Sequence, residues 1–276
     1  MKSSNSRKAR WGAIPYVVWM ALFTVAPLIL IVIYAFSNAE GSFTVEHFTG
    51  MADYVGIFTR SLGLAAVATV ISLLIGYPIA YFISKEKPST QRFLMMLIMV
   101  PMWINFLLRT YAWMSILENN GFLNQFLSLL GLPTVNIINT DTAVVLGMVY
   151  NFLPFMILPI FSVIEKLDAK YIEAAQDLGA NKVQTFRRVI FPLSIPGIIS
   201  GITMVFIPSV TTFAISKLLG GGMTLLLGDL IEMQFLGSAY NPHLGSAIAL
   251  VMMVIVLVAM SIMNRFGEGE EGSVML

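Results

Sequence analysis

Six apolar stretches, each long enough to cross the hydrocarbon core of a bilayer as a helix of roughly 20 residues, constrain this chain more than any other feature. They run from about Trp11 to Phe36, Leu62 to Ser84, Phe93 to Leu117, Thr142 to Ile164, Leu193 to Ser216 and Leu244 to Asn264. Five carry no Asp, Glu, Lys or Arg, and the third carries one, Arg109. The expected fold class is therefore all-α, a polytopic membrane helical bundle of six transmembrane helices. Composition agrees: 57% of residues are apolar and 11% charged, against about 25% charged in soluble domains.

The same composition excludes several functions. A net charge of +1 gives no basic field for nucleic acid, and Gly220 to Gly222 are followed by Met and Thr, so no phosphate-cradling GxxxxGK[ST] loop is present. With no cysteine, thiolate metal sites, disulfides and a Cys nucleophile are absent. His47 and His243 each fall in a polar connection without a second ligand nearby in sequence, so a structural or solvated role is expected and no metal site. No HExxH sequence or paired intramembrane Asp points to hydrolysis. No catalytic residue and no cofactor are expected.

Lys and Arg accumulate in short cytoplasmic loops. With the N-terminus inside, thirteen bases fall on the inner side: Lys2, Arg7, Lys8, Arg10, Lys85, Lys87, Arg92, Lys166, Lys170, Lys182, Arg187, Arg188 and Arg265. Only Arg60 and Lys217 fall outside. This places both termini and the 165–192 connection in the cytoplasm. The basic segment 1–13 has no cleavage site after it and predicts a retained signal anchor. Residues 14–264 form the membrane domain and 265–276 a polar tail.

Within the spans, Pro27 predicts a kink near Ala26. Tyr77 and Tyr81 share a helix face around Pro78, a pattern that fits packing or an interfacial belt better than a cation-binding wall. Arg109 either snorkels outward or faces a pathway, and Trp103 and Asn105 are stronger lining candidates. The 121–130 piece is too short to span and predicts an interfacial helix over the bundle. Tyr150, Asn151, Pro154 and Pro159 mark span four, where prolines release carbonyls that helices or a watery cavity must satisfy. Pro196, Gly197, Gly201 and Pro208 make span five suited to close helix contact. Beyond a Gly220 to Gly222 hinge, a 223–236 segment is expected to be re-entrant or interfacial. Its Asp229 and Glu232 stand three apart on one face, with about 5 to 6 Å between their Cβ atoms. A solvated outer face is the simpler reading of that pair.

The charged island Tyr171 to Pro192, YIEAAQDLGANKVQTFRRVIFP, stands between two apolar spans. Ala174 and Ala175 favour helix without bulk, and Gly179 suits the left-handed residue that closes a short helix. A second piece from Lys182 to Ile190 then turns away. A surface amphipathic helix would have a similar composition. The order Glu173-Ala174-Ala175, with Asp177, Gly179 six positions after the Glu and Pro192 thirteen after the Gly, resembles the cytoplasmic EAA loop of ABC-transporter permeases. Val189 and Phe191 stand where that family has Ile and Leu. The stretch from Val100 to Trp113, VPMWINFLLRTYAW, and the run from Phe161 to Gln184 are similar to the permeases of spermidine/putrescine importers.

The resemblance covers roughly residues 14 to 264 and implies the type I importer (MetI-like) fold. It also implies a coupling role for Glu173, Ala174, Ala175, Asp177, Gly179 and Pro192. Partners implied are two cytoplasmic ABC ATPase subunits, a sister permease, an extracytoplasmic polyamine-binding protein and membrane lipid. The expected location is the bacterial cytoplasmic membrane. A permease for ferric iron, sulfate or a phosphonate remains open, as does an ion-coupled secondary transporter. The last requires intramembrane carboxylates, and none lies in the six stretches.

Overall fold

A computed structural model describes residues 14–237 and 239–267. The expected basic segment 1–13 and most of the 265–276 tail lie outside the described residues. Four helices are long and apolar enough to cross a membrane, and the number is six when each of two bent pairs is one span. Secondary structure among the described residues is helical apart from a single antiparallel bridge, Ser37 to Phe43. The chain falls into two compact units. One contains the described residues of Met1–Val55 and Leu230–Ile255, the other those of Gly56–Asp229 and Val256–Leu276.

In the first unit, helix α1 (Ile14–Ala35) is apolar and almost wholly exposed. The kink expected near Ala26 takes the form of a π turn over Ala21–Val25, closed by Ala26 N–H donating to Ala21 O. Pro27 cannot donate to the carbonyl of residue 23 and its ring would crowd that carbonyl; the wider turn immediately before it relieves both problems. After α1, Asn38 Oδ1 accepts from Glu40 N–H at 3.0 Å and Ser42 N–H at 2.9 Å, forming a tight turn with Gly41 at φ +78°. The histidines are not isolated, as sequence spacing indicated. Their rings stack at 5.8 Å, His47 Nε2 lies 3.1 Å from Ser37 O, and His243 Nδ1 lies 3.1 Å from Tyr34 O. No third His, Cys, Asp or Glu joins them in a metal-binding group among the described residues.

In the second unit, α2 (Val55–Ser84) runs through Pro78 without a break. The third apolar stretch departs from expectation. Instead of one helix from Phe93 to Leu117, α3 (Pro88–Met99) passes through a 3-10 turn at Val100–Trp103 and stops. A new helix, α4 (Phe106–Leu117), starts at an 89° bend. Ile104 and Asn105 adopt extended ψ values of 139° and 133°, and Asn105 Oδ1 accepts from Leu107 N–H at 2.8 Å. An N-cap of this kind satisfies a first-turn donor and makes a second helix start cheap. The 121–130 piece forms a short helix, α5 (Phe122–Leu129). Its buried Asn124 accepts from Val135 N–H and donates to Val135 O, both at 2.8 Å.

The core of this unit is α6 (Asp141–Glu165), whose Val144, Met148, Met156, Ile157 and Ile160 are essentially inaccessible. Small residues on its neighbours let them approach its backbone. A Cβ on Gly197 would lie 2.8 Å from Pro159 O, one on Gly201 2.7 Å from Met156 Sδ, and one on Gly76 3.0 Å from Met156 Cγ. Such contacts replace the hydrophobic drive that is missing between helices in lipid.

Two short helices follow α6: α7 (Ala169–Asp177) and α8 (Lys182–Leu193). Next comes α9 (Ile195–Thr211), bent by 59° from α8. The fifth span thus ends at Thr211 rather than near Ser216, because Thr212 is extended (ψ 140°) and a separate α10 (Ala214–Leu219) follows. The expected glycine hinge is a turn with Gly221 at φ +59° and Gly222 at φ +73°. It leads to α11 (Leu227–Leu236), and the last span is α12 (Pro242–Gly267).

Candidate functional site

The charged island folds as a helix, a left-handed glycine and a second helix. Asp168 starts α7, its Oδ1 accepting from Lys170 N–H at 3.0 Å. At the other end Gly179 has φ +82°, Gly179 N–H donates to Gln176 O at 2.8 Å and Ala180 N–H donates to Ala175 O at 3.0 Å. These two bonds form a complete Schellman closure, in which a residue without Cβ carries the positive φ. Ala175 is thereby both a helix residue and the acceptor that fixes the exit angle. Asn181 and Gln184 then form a reciprocal capping box, each side chain accepting from the other's backbone N–H at 2.9 Å. The Asn-x-x-Gln spacing was readable in the sequence and marks the start of α8.

Glu173, Ala174 and Asp177 are exposed on α7, Ala175 is half-buried, and Leu178 is 90% exposed. Glu173 and Asp177 make no hydrogen bond or ion pair among the described residues. The acidic side chains of Glu173 and Asp177 and the apolar Leu178 thus form an exposed edge beside the Gly179 turn. Pro192 lies near the end of α8, two residues after a π turn over Phe186–Ile190, the same arrangement that precedes Pro27.

The other residues singled out from sequence do not form one site. Trp103 is 79% exposed at the break between α3 and α4, with Asn105 capping the next helix. Arg109 lies four residues beyond that cap, half-buried, its Nε without a partner among the described residues. Tyr150 packs edge-on against Trp113 at 5.2 Å between ring centres. Asn151 is buried and donates to Gly147 O of its own helix at 2.9 Å. Asp229 is not a solvated outer carboxylate: it is 5% exposed, and its Oδ2 accepts from Leu226 N–H at 2.9 Å. Glu232 is half-buried on the same helix, α11.

Two polar clusters escaped the sequence reading because their members are far apart in the chain. Arg60 Nη2 meets Asp141 Oδ1 at 2.7 Å, and Thr224 Oγ1 donates to the same oxygen at 3.1 Å. Tyr77 Oη lies 2.9 Å from Ser194 Oγ, both buried. Tyr81 packs on Phe186 at 5.1 Å, and Lys85 Nζ sits 5.2 Å from the Tyr81 ring centre, so the two tyrosines combine ring packing with a hydroxyl bond and a cation–ring contact.

Comparison with known proteins agrees with this geometry. The model of the family "Binding-protein-dependent transport system inner membrane component" matches residues 72–268. The chain is 39% identical over 257 residues to the spermidine/putrescine transport system permease protein PotB of Haemophilus influenzae, covering 90% of each chain. It is 38% identical to PotB of Escherichia coli K12, covering 86% of this chain and 90% of that protein. A bacterial ABC transporter involved in import of the polysaccharide alginate superposes with a TM-score of 0.80 at 17% identity, over 95% of this chain and 96% of that one. The MetNI methionine ABC transporter superposes at 0.57 and 17% identity, over 78% and 94%. These structures share the fold, that of MetI-like type I ABC importer permeases. With the family model matched across most of its membrane helices, this chain belongs to the binding-protein-dependent transport family of inner membrane components.

Proposed function

We propose that this chain is the permease subunit of an ATP-driven importer of polyamines, forming half of the translocation path and taking up the motor's motion through α7 and α8. The observation that carries the substrate class is the 39% identity to a spermidine/putrescine permease across nine-tenths of both chains. The coupling role rests on the Gly179 closure and the unengaged edge of Glu173, Ala174 and Asp177. Two ABC ATPase subunits on the cytoplasmic side would grip that edge, a sister permease would complete the path, and an extracytoplasmic polyamine-binding protein would deliver the solute. Both termini and the α7–α8 connection face the cytoplasm in this reading, which the distribution of Lys and Arg supports. The membrane domain spans 14–264, flanked by the segments 1–13 and 265–276. The chain supplies path and lever, and no covalent step is assigned to it.

For the path, the geometry favours Trp103 and Asn105 at the broken third span, because non-helical backbone at membrane depth needs a protein or aqueous lining. Tyr150, Asn151, Asp229 and Glu232 stay in the proposal as outer and central contacts, with Asn151 and Asp229 committed first to their own backbone. Asp229→Asn combined with Glu232→Gln tests the two carboxylates. Asparagine keeps an acceptor for Leu226 N–H, so the fold should survive, and any change in the apparent spermidine affinity then reports the lost charges. Asp229→Ala, in contrast, is expected to lower stability by about 1–3 kcal/mol by orphaning that donor, measured as the thermal midpoint of the purified protein.

The function itself is tested by reconstituting the chain with its ATPase, sister permease and binding protein and following labelled spermidine and putrescine. ATP-dependent uptake is expected, and ferric iron, sulfate and phosphonates should not compete. Uptake that ignores ATP and follows an ion gradient would instead favour a secondary transporter.

A further inference from the structure

We infer that Tyr77 is a positioning residue for coupling: its hydroxyl holds the bend at Ser194 and ties the α8 arm of the lever to α2. The inference rests on the reading of α7–α8 as the coupling element. Ser194 is the single residue between α8 and α9, at the 59° bend. Pro192 and Pro196 flank it, so the carbonyls of residues 188 and 192 lack their ordinary i+4 backbone donors. The ladder is thinned there to bonds such as Ser194 N–H to Ile190 O and Ile198 N–H to Ser194 O, both at 3.0 Å, so side chains share the task of fixing the angle.

The hydrogen bonds show how. Ser194 Oγ donates to Phe191 O at 2.8 Å, which uses its only proton. Tyr77 is therefore the donor in the 2.9 Å contact with Ser194 Oγ. The chain of donation runs from Tyr77 through Ser194 to the Phe191 carbonyl, joining α2 to the bend and to the last turn of α8. Ser194 is fully buried and Tyr77 8% exposed, so water cannot substitute for either partner. The rings reinforce the joint. Tyr77 meets Phe186 edge-on at 5.9 Å and Phe191 at 5.6 Å, and Tyr81 meets Phe186 edge-on at 5.1 Å. Both phenylalanines belong to α8, and both tyrosines to one face of α2. A push delivered to α7–α8 is thus shared with α2 rather than absorbed by bending at Ser194.

Tyr77→Phe removes the hydroxyl and keeps the ring, so it separates the joint from plain packing. Two readouts are made in the reconstituted complex. The chain has no cysteine, so cysteines placed at exposed Phe82 on α2 and exposed Arg187 on α8 allow spin labels to report the spacing between the two helices. The expected result is a broadened distance distribution together with about ten-fold fewer polyamine molecules moved per ATP, the scale of one buried hydrogen bond lost. Ser194→Ala removes that bond together with the one to Phe191 O, so its loss should be at least as large, and the double variant should be no worse than Ser194→Ala alone, since Tyr77→Phe then removes nothing further. An unchanged transport-to-ATP ratio in Tyr77→Phe overturns the inference, whether or not the distribution broadens. So does a lower ratio with an unchanged distribution. Crosslinking from Ala174 to the ATPase reports separately on the coupling element, because it does not depend on Tyr77.

Discussion

Replacing Gly179 with valine is expected to reduce polyamine uptake by more than about ten-fold, equivalent to at least roughly 1.4 kcal/mol at the limiting step, while membrane insertion and protein level stay normal. No atom lies within 4 Å of a Cβ built on Gly179, so the effect cannot arise from a clash. It arises from φ +82°, which a β-branched residue adopts only at a cost of about 1–3 kcal/mol. The chain escapes that cost by giving up the bonds from Gly179 N–H to Gln176 O and from Ala180 N–H to Ala175 O, and the angle between α7 and α8 is lost with them. ATP hydrolysis should continue without transport. Gly179→Asn is the control, because asparagine tolerates the left-handed region and should keep most of the uptake. Glu173→Lys should fail in the same way for a different reason: the side chain has no partner within the described residues, so charge reversal acts on whatever docks there. Normal uptake in both Gly179→Val and Glu173→Lys would overturn the lever assignment.

Much of this lever was legible in the sequence because its determinants are local. A glycine after an alanine-rich helical turn, and an Asn followed three residues later by Gln, specify closure and restart within a dozen residues. The turn at Gly221 and Gly222 was legible for the same reason. What sequence could not show depends on partners far along the chain. Ser194 lies 117 positions from Tyr77, and Asp141 lies 81 from Arg60. Asp229 read as a solvated outer charge because charge and helical spacing carry no information about burial; only the fold shows its carboxylate turned onto Leu226 N–H. The break at Ile104 and Asn105 was hidden by apolar continuity, since Pro101 alone does not say whether a helix kinks or stops. Asn105 was the missed signal, read for its amide as a lining group and not for its capacity to cap.

Gly197→Val carries the second large effect, and it follows from how the lever is mounted. The α7–α8 element connects α6 to α9, and those two helices pack along one another, so a force on the element moves both only if their seam does not slip. At the closest approach to backbone along that seam a Cβ on residue 197 would stand 2.8 Å from Pro159 O, 3.0 Å from Val163 Cγ2 and 3.1 Å from Ile160 Cα. Two of the three are backbone atoms of a helix and cannot rotate away. Gly201 is less constrained: its nearest neighbour would be Met156 Sδ at 2.7 Å, near the end of a flexible side chain, and the backbone atoms Met156 O and Cα stand farther off at 3.1 and 3.4 Å. Overpacking a filled core costs about 1–3 kcal/mol and sometimes more, and Gly197→Val should reach or exceed the top of that range while Gly201→Ala stays near the bottom. Thermal unfolding of the purified protein reads the ranking, and a Gly197→Val midpoint equal to that of the parent would show that the seam is looser than the structure has it. Where the variant still assembles, α9 must stand off from α6, and uptake should fall further than the loss of folded protein accounts for, because a separated seam lets the push on α7 dissipate between its two mounts.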